Sequence, residues 1–365
     1  IDGSSPPSLF VGEYGYPQVR IGPMIPPFHG DTSILDKPEL WMGKSFEDII
    51  NYRISLLKGT IIQNVNDISG RCIESLQEMA LSKNVVESTV TFEKIPSQYL
   101  DINALSNNES EVTPTVFSAP VTDFKIIPST ADGKIEKKYY DHDLLATDAI
   151  IDLYDTNIDI SKISKVLSMG MLGKKKNRKL VPTKWSITAA DDIISRYLIN
   201  NIRDNPILDN YLVFDFNHLA NYYSVILIPD PVWSFEMIES WIDANGRTHI
   251  GSDYELGKKI DHYPSIAGAY FAGRLSVAEY LFKIRRKASV LILREIHPEY
   301  FISLGVWQIR EGIRECLKSK GKAFDVFDSA LRYATSKTSL SKTEWMRNSS
   351  IIKIRKQKRI SDYLD

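Results

Sequence analysis

The sequence predicts an α+β protein, with mixed α/β pairing, that ends in a flexible C-terminal tail. Three runs of β-branched and aromatic residues follow one another, at 211–216, 223–228 and 232–237. Separate helical patterns stand before and after them, the longest at 265–285. Because consecutive strands are grouped apart from the helices, we expect α+β rather than a repeating βαβ order.

Composition restricts the class of protein. The 365 residues are 43% hydrophobic and 25% charged, which is ordinary for a globular chain with room for two domains. The formal net charge is −1, so any nucleic-acid contact must come from a local patch. Apolar runs are too short to cross a bilayer, and two cysteines without CxxC spacing favour a reducing compartment. We expect a cytoplasmic protein without a membrane partner.

The first half begins with a proline-rich segment at 1–34, for which we expect coil and a short strand near 17–21. Ser45 and Asp48 form a capping-box pattern that predicts a helix running to Gly59. The remaining elements follow from periodicity and composition. We expect helices at 73–82, 143–154 and 160–167, a strand at 85–92, and polar loops at 104–114 and 129–138.

The second half opens on another capping-box pattern, Thr188 with Asp191, which predicts a helix from there to about Arg203. After the three strands, the polar, glycine-containing segment 244–263 is the candidate domain boundary. Beyond it, periodicity predicts one buried strand among helices. These elements are a helix at 265–285, a strand at 289–294, and helices at 305–318 and 324–334.

The last residues carry a spaced apolar motif after a basic lead-in. Ile360, Tyr363 and Leu364 share one face if a single helical turn closes over them, and Gln357 lies one turn upstream. So small an apolar set orders only on docking to a partner. The pattern resembles the PCNA-interacting peptide, which binds proteins to the sliding clamp. The alternative is an amphipathic end that packs on its own domain.

Four longer stretches resemble the archaeal Nre family of DNA-repair proteins. They are YGYPQVRIGPMIPP at 14–27, LSMGMLGKKKNRKLVPTKWSITAADDIIS at 167–195, AYFAGRLSVAEYL at 269–281 and VLILREIHPEYFISLGVWQIRE at 290–311. The resemblance implies an Nre N-terminal domain over 1–245, an Nre C-terminal domain over 246–350 and a clamp-binding tail over 351–365. It also implies DNA damage as the setting and PCNA and DNA as partners.

Cofactors are less defined. Members of this family usually begin with a cysteine-rich segment resembling a four-cysteine zinc finger, and no such segment precedes Ile1 in this sequence. Zinc is therefore implied by the family only for that segment, and no residue of this chain is predicted as a zinc ligand.

A dense basic run precedes the helix predicted at 188, and Lys184 and Trp185 follow it. Such a run attracts phosphates through counterion release, and an adjacent tryptophan is suited to stacking on an unpaired base. The alternative is a solvated loop beside a core tryptophan. The predicted DNA contacts of the run are Lys174, Lys175, Lys176, Arg178 and Lys179.

Arg274 lies among apolar residues of the helix at 265–285, where an isolated charge would be very costly. It must therefore either contact a phosphate or pair with a carboxylate within the protein, such as Glu279 or one on a neighbouring helix.

A second cluster of charges follows the buried strand at 289–294. Arg294 and Arg310 are candidate phosphate ligands, and Glu295 and His297 are candidate acid–base groups. Surface pairing along the helix that contains Arg310 explains part of the same pattern.

Asp141 and Asp143 flank His142 and are weak candidates for a metal-dependent catalytic site. A helix start with aspartate in its first turn is the simpler explanation of the same residues. The sequence contains no Walker loop, nucleophile elbow, zincin motif or dinucleotide fingerprint.

These patterns favour a DNA-repair factor that binds DNA and is recruited to PCNA by its tail. The alternatives are a nuclease-like hydrolase acting on DNA or a nucleotide, and a non-catalytic PCNA adaptor. The sequence does not decide whether the protein is an enzyme.

Overall fold

A computed structural model describes residues 1–98, 117–258 and 260–356. The chain divides into two compact units, the first over Ile1–Ile194 and the second from Ser195 onward. Each described unit contains one β-sheet with helices, so the α+β class predicted from the sequence is confirmed. Within the described ranges, no helix is both long enough and apolar enough to cross a membrane.

The first unit contains a seven-stranded sheet. Its main path runs β1-β5-β7-β4-β3-β2, and β6 pairs with β7. The pair β4–β7 is parallel and the others are antiparallel. The strands are β1 (Asp2–Ser5), β2 (Leu9–Val11), β3 (Gln18–Ile25), β4 (Leu57–Asn64), β5 (Val86–Phe92), β6 (Ser97–Gln98) and β7 (Phe117–Ile127).

Its helices begin where local capping permits. Ser45 and Asp48 form the predicted capping box at the start of α1, since each side chain accepts from the other's backbone amide. Asp132 caps α3 in the same region where the sequence predicts a polar loop. The helices are α1 (Phe46–Ile54), α2 (Arg71–Leu81), α3 (Gly133–Tyr140), α4 (Ala146–Asp155), α5 (Ile160–Ser168) and α6 (Thr183–Ile202). The division between the units falls within α6.

Two predicted helix boundaries are wrong. The helix predicted to reach Gly59 ends at Ile54, because Leu57–Asn64 instead pairs as β4 with β3 and β7. The close pairing requires glycine at position 22 of β3, since a Cβ there would lie 2.0 Å from the carbonyl oxygen of Gly59. The helix predicted to begin at Thr188 begins at Thr183, and the Thr188 hydroxyl donates to the carbonyl of Lys184 within it.

The second unit contains a six-stranded sheet in the order β11-β10-β12-β9-β8-β13. The pair β10–β12 is parallel, and the other pairs are antiparallel. The strands are β8 (Tyr211–His218), β9 (Asn221–Ile228), β10 (Ser234–Ile242), β11 (Thr248–Leu256), β12 (Ser289–Ile296) and β13 (Lys322–Phe324). Every residue of β9 and β12 is buried, as expected for strands covered on both faces.

Helices cover both faces of this sheet. On one face, Gly273 of α7 lies against Met237 and Ile292 of the sheet and Ile313 of α8. On the other, Leu291 and Leu293 share a core with Leu331, Trp345, Ile351 and Ile352. The helices are α7 (Gly268–Ile284), α8 (Trp307–Lys318), α9 (Phe327–Ala334), α10 (Lys342–Asn348) and α11 (Ser350–Lys356).

Two sequence-based boundaries fall inside the second unit. The boundary at 245/246 falls in the turn between β10 and β11, which pair over their full length, so it does not coincide with the division at 194/195. Ile351 and Ile352, the first residues assigned to the predicted tail, lie in α11 and are buried in the core of the second unit. Residues 357–365 lie outside the described residues.

Candidate nucleic-acid interface

The predicted basic run forms a loop, residues 173–179, before α6. The side chains of Lys174, Lys175, Lys176 and Lys179 are exposed. Arg178 is buried instead, and its guanidinium donates to three carbonyl oxygens, those of Gly173 (2.7 Å), Tyr139 (2.7 Å) and Asp141 (2.9 Å). The loop therefore combines four exposed lysines with one internal arginine that holds its backbone.

The same contacts define the role of the acidic segment at 141–143. The Asp141 side chain accepts from the amides of Asp143 (3.2 Å) and Leu144 (3.1 Å), which is a local turn. Its carbonyl oxygen receives Arg178. Among the described residues, no three His, Cys, Asp or Glu side chains converge as a metal site. The structure thus gives the segment a turn-forming role and does not bring its carboxylates together with further ligands.

Trp185 lies in the first turn of α6 and is 45% exposed. Its ring lies 5.3 Å from that of Tyr16, and its indole nitrogen donates to Glu13 at 3.2 Å. Lys184 lies 3.8 Å from the other oxygen of Glu13. Tyr14, in the same turn between β2 and β3, is 82% exposed. We call Tyr14, Tyr16 and Trp185 the aromatic patch; it exposes rings of the kind on which unpaired bases stack.

Arg274 is 1% exposed and pairs with Glu255 of β11 at 3.0 Å. It also donates to the hydroxyl of Ser195, through Nε at 3.2 Å and Nη2 at 3.0 Å. The internal carboxylate partner is thus on a strand, whereas Glu279 pairs with Arg314 at 2.7 Å. Arg274 nevertheless lines a cavity of about 460 Å³ in the second unit, which we call the Arg274 cavity.

The residues that line the Arg274 cavity come from segments that are far apart in the chain. Four further cations lie around it, in α6, directly after α6, before α7 and before β12, together with one tryptophan that precedes β10. They are Arg196, Arg203, Lys258, Lys287 and Trp233. Sequence reasoning missed these residues, because single cations dispersed between positions 196 and 287 form no motif. The one available signal was the inward-facing Arg274.

The charges around β12 are mostly internal. Arg294 is 2% exposed and donates to Glu239 (2.5 Å) and to Asn221 (2.6 and 2.9 Å). Arg310 is also buried. These contacts place the two predicted phosphate ligands in the interior of the second unit.

Glu295 is fully buried, and its two oxygens accept from the amides of Ser339 (2.8 Å) and Leu340 (2.9 Å). His297 lies 3.1 Å from the same carboxylate. Both oxygens of the predicted acid–base candidate therefore hold the backbone that leads into α10.

Glu236 of β10 plays a similar part for α11. Its carboxylate accepts from the amides of Ser350 (2.6 Å) and Ile351 (3.0 Å) and from the Ser349 hydroxyl (2.5 Å). Burial raises its pKa, and these hydrogen bonds partly oppose the rise. α11 is thereby anchored at its start, and it ends at Lys356, one residue before Gln357.

Comparison with known proteins identifies the family. The model "Archaeal Nre, N-terminal" matches residues 1–245, and the model "Archaeal Nre, C-terminal" matches residues 255–363. The chain belongs to the archaeal Nre family. The first Nre match ends in the turn after β10 and the second begins within β11, so the division between them falls inside the sheet of the second unit.

Three Nre relatives match over most of their length. The DNA repair protein NreB of Archaeoglobus fulgidus is 37% identical over 99% of this chain and 91% of its own. The DNA repair protein NreA of the same organism is 36% identical over 91% of this chain and 83% of its own. The DNA repair protein NreA of Haloferax volcanii is 31% identical over 96% of this chain and 86% of its own. No solved structure matches this Nre chain.

The four residues of the predicted PCNA-binding motif lie outside the described residues of this Nre family member. They are Gln357, Ile360, Tyr363 and Leu364.

Proposed function

We propose that this Nre family member is a DNA repair factor that binds DNA and is recruited to PCNA through its C-terminal motif. The repair role is supported by relatives of 31 to 37% identity that are named as DNA repair proteins. The DNA and PCNA contacts are argued from the residues of this chain.

The DNA-binding proposal rests on one observation in the loop 173–179, which we call the basic loop: its arginine is buried and holds the backbone, while its lysines are exposed. Arg178 satisfies three backbone carbonyls, so the loop keeps a defined path while its four lysines remain exposed. Exposed lysines on a held loop attract the phosphate backbone without the cost of ordering the loop on binding. The aromatic patch, in the same unit, supports contact with unpaired bases.

The recruitment proposal is supported by the anchoring of α11. Glu236 binds the start of the helix, Ile351 and Ile352 are buried, and Arg355 pairs with Asp230 at 2.7 Å. The motif thus begins directly after a helix that is fastened to the second unit. A short binding segment next to a fixed anchor is retained near its folded protein while it docks elsewhere.

The contacts of Glu295 favour a binding role over the hydrolase alternative. A general base or metal ligand needs an oxygen directed at substrate or metal, and both oxygens of this carboxylate hold backbone amides.

Fluorescence anisotropy with labelled single-stranded and duplex oligonucleotides, over a range of salt concentrations, tests DNA binding. The triple variant Lys174→Ala/Lys175→Ala/Lys176→Ala should bind more weakly and lower the salt slope by roughly 2 to 3, since each lost phosphate contact removes about 0.7 to 0.9. The matched control is Lys83→Ala/Lys94→Ala/Lys125→Ala, which removes three exposed lysines of the same unit outside the loop. Equal losses in both variants would assign binding to net charge and refute the basic loop.

Calorimetric titration into purified archaeal PCNA tests recruitment separately. The intact chain should bind in the micromolar range, at about −8 kcal/mol, and Tyr363→Ala/Leu364→Ala should abolish binding. Ser361→Ala/Asp362→Ala changes the intervening positions and should bind normally. No heat from the intact chain would remove PCNA from the proposal. PCNA binding without DNA binding would identify the protein as an adaptor.

A further inference from the structure

The Arg274 cavity differs in chemistry from the rest of the second unit. Its described lining includes five cations and a single carboxylate, Glu255. That carboxylate is already engaged, because Oε2 pairs with Arg274 at 3.0 Å and Oε1 accepts from the indole of Trp233 at 2.6 Å. Beyond the pair of Glu255 with Arg274, the described lining contributes further cations and no second carboxylate, so the cavity surface is rich in positive charge.

The cations at the rim are accessible. Arg203 and Lys258 are exposed, and Lys287 is half-buried. Lys287 donates one hydrogen bond from Nζ to the carbonyl of Arg203, at 3.0 Å, and an ammonium has three donors in all. An anionic group in this cavity would therefore find an arginine fork and two ammonium groups at its mouth.

One wall is apolar and rigid. Trp233 is oriented by its hydrogen bond to Glu255, and its ring stacks on Phe235 at 6.3 Å with an angle of 4° between planes. Val232 and Ile199 lie beside it in the lining. A fixed indole with aliphatic neighbours is suited to a planar ring.

We propose that the Arg274 cavity binds a nucleoside phosphate, with the phosphate toward Arg203, Lys258 and Lys287 and the base toward Trp233. A cavity of about 460 Å³ lies within the range of small-molecule sites, roughly 300 to 1,000 Å³. The ligand is either a free mononucleotide or the terminal nucleotide of a 5′-phosphorylated strand, since both present the same groups. The site lies wholly in the second unit and does not depend on the basic loop of the first.

The test is calorimetric titration of the full chain with AMP, GMP, CMP and UMP, each beside adenosine and inorganic phosphate. Two oligonucleotides of one sequence, with and without a 5′-phosphate, distinguish the two sources. We expect one or more nucleotides, or the phosphorylated end, to bind about tenfold or more tightly than adenosine or phosphate alone.

Arg203→Ala/Lys258→Ala should weaken this binding about tenfold or more, because it removes two of the three proposed phosphate ligands. Both side chains are exposed, so we expect the variant to fold normally. The control Arg332→Ala/Lys320→Ala removes the same charge from exposed positions of the same unit outside the cavity and should bind normally. Trp233→Phe should retain binding better than Trp233→Ala.

Several outcomes would overturn the proposal. These are no binding of any probe, equal binding of nucleotide and inorganic phosphate, or equal loss in the variant and its control. The Lys174→Ala/Lys175→Ala/Lys176→Ala variant should bind the nucleotide normally, so failure of this site and failure of the basic loop give different results.

Discussion

Glu236 and Ser350 are 114 positions apart, and the Glu236 carboxylate accepts the Ser350 amide at 2.6 Å. The same carboxylate accepts the Ile351 amide, so one buried side chain of β10 satisfies two of the free amides at the start of α11. The helix that precedes the predicted PCNA motif is therefore held at its start by an interior strand of the sheet.

Glu236→Gln should lower the free energy of unfolding by about 1 to 3 kcal/mol, because one acceptor is replaced by an amide donor facing buried N–H groups. Urea denaturation measures the loss, and hydrogen exchange at 349–352 should accelerate with it. The control Glu344→Gln changes an exposed carboxylate in α10, where the capping contact is exposed to water and the loss should be smaller.

The raised pKa of Glu236 sets the sign of a pH effect. A carboxyl that is easier to protonate in the folded state favours folding below its ordinary value of 4.5, and that contribution is lost as pH rises through the folded pKa. The free energy of unfolding of the wild type, minus that of Glu236→Gln, should therefore decrease as pH rises through this window. A difference that is constant with pH would contradict the shift.

Arg178→Met should destabilise the first unit by about 2 to 3 kcal/mol, since three carbonyl oxygens lose a charged donor. Lys176→Met, two residues away on the exposed face, should change stability by no more than about 0.5 kcal/mol. Thermal unfolding of both variants compares them directly. Equal effects would mean that Arg178 is not the residue that holds the loop.

Trp185→Ala should weaken binding of single-stranded DNA about tenfold, within the range for loss of one stacked base, and should affect duplex binding less. Phe28→Ala is the matched control, because Phe28 is 44% exposed in the same unit and lies outside the aromatic patch. Anisotropy with both substrates provides the comparison. A similar loss for single strand and duplex would argue against base stacking.

Arg294→Met should cost about 3 to 5 kcal/mol, because it leaves the buried Glu239 without its cation. The double variant Arg294→Met/Glu239→Leu should recover part of that loss, and a double-mutant cycle measures the coupling. Additive losses would show that the two charges do not act as a pair, and would return Arg294 to the set of ligand-binding candidates.

Local patterns predicted many elements well. The helix at 73–82 is observed as α2, the strand at 85–92 as β5 and the buried strand at 289–294 as β12. The capping box of Ser45 with Asp48 is confirmed, whereas that of Thr188 with Asp191 is wrong. The two pairs have the same spacing, but Thr188 lies inside a helix that begins five residues earlier. The spacing of a capping-box pattern shows that a cap is possible at that position, but it does not show that a helix begins there.

The secondary structure of other segments depends on the strands with which they pair. β4 carries a pattern that continues the preceding helix, and β11 is polar enough to resemble a linker, yet each pairs with neighbouring strands. A polar edge strand and a mixed strand have weak patterns of their own, because their stability comes from hydrogen bonds to another strand.

The amino-acid sequence by itself determined the α+β class, the family resemblance, the exposed basic run and the motif at 357–364. Only the tertiary structure decided which charges are internal and which line a cavity. Arg178, Arg274 and Arg294 were all candidate phosphate ligands in the sequence, and each meets internal partners 5 to 79 positions away in the fold. The reason is physical, since capping and periodicity act over three to four residues, whereas burial of a charge is set by whichever distant segments enclose it.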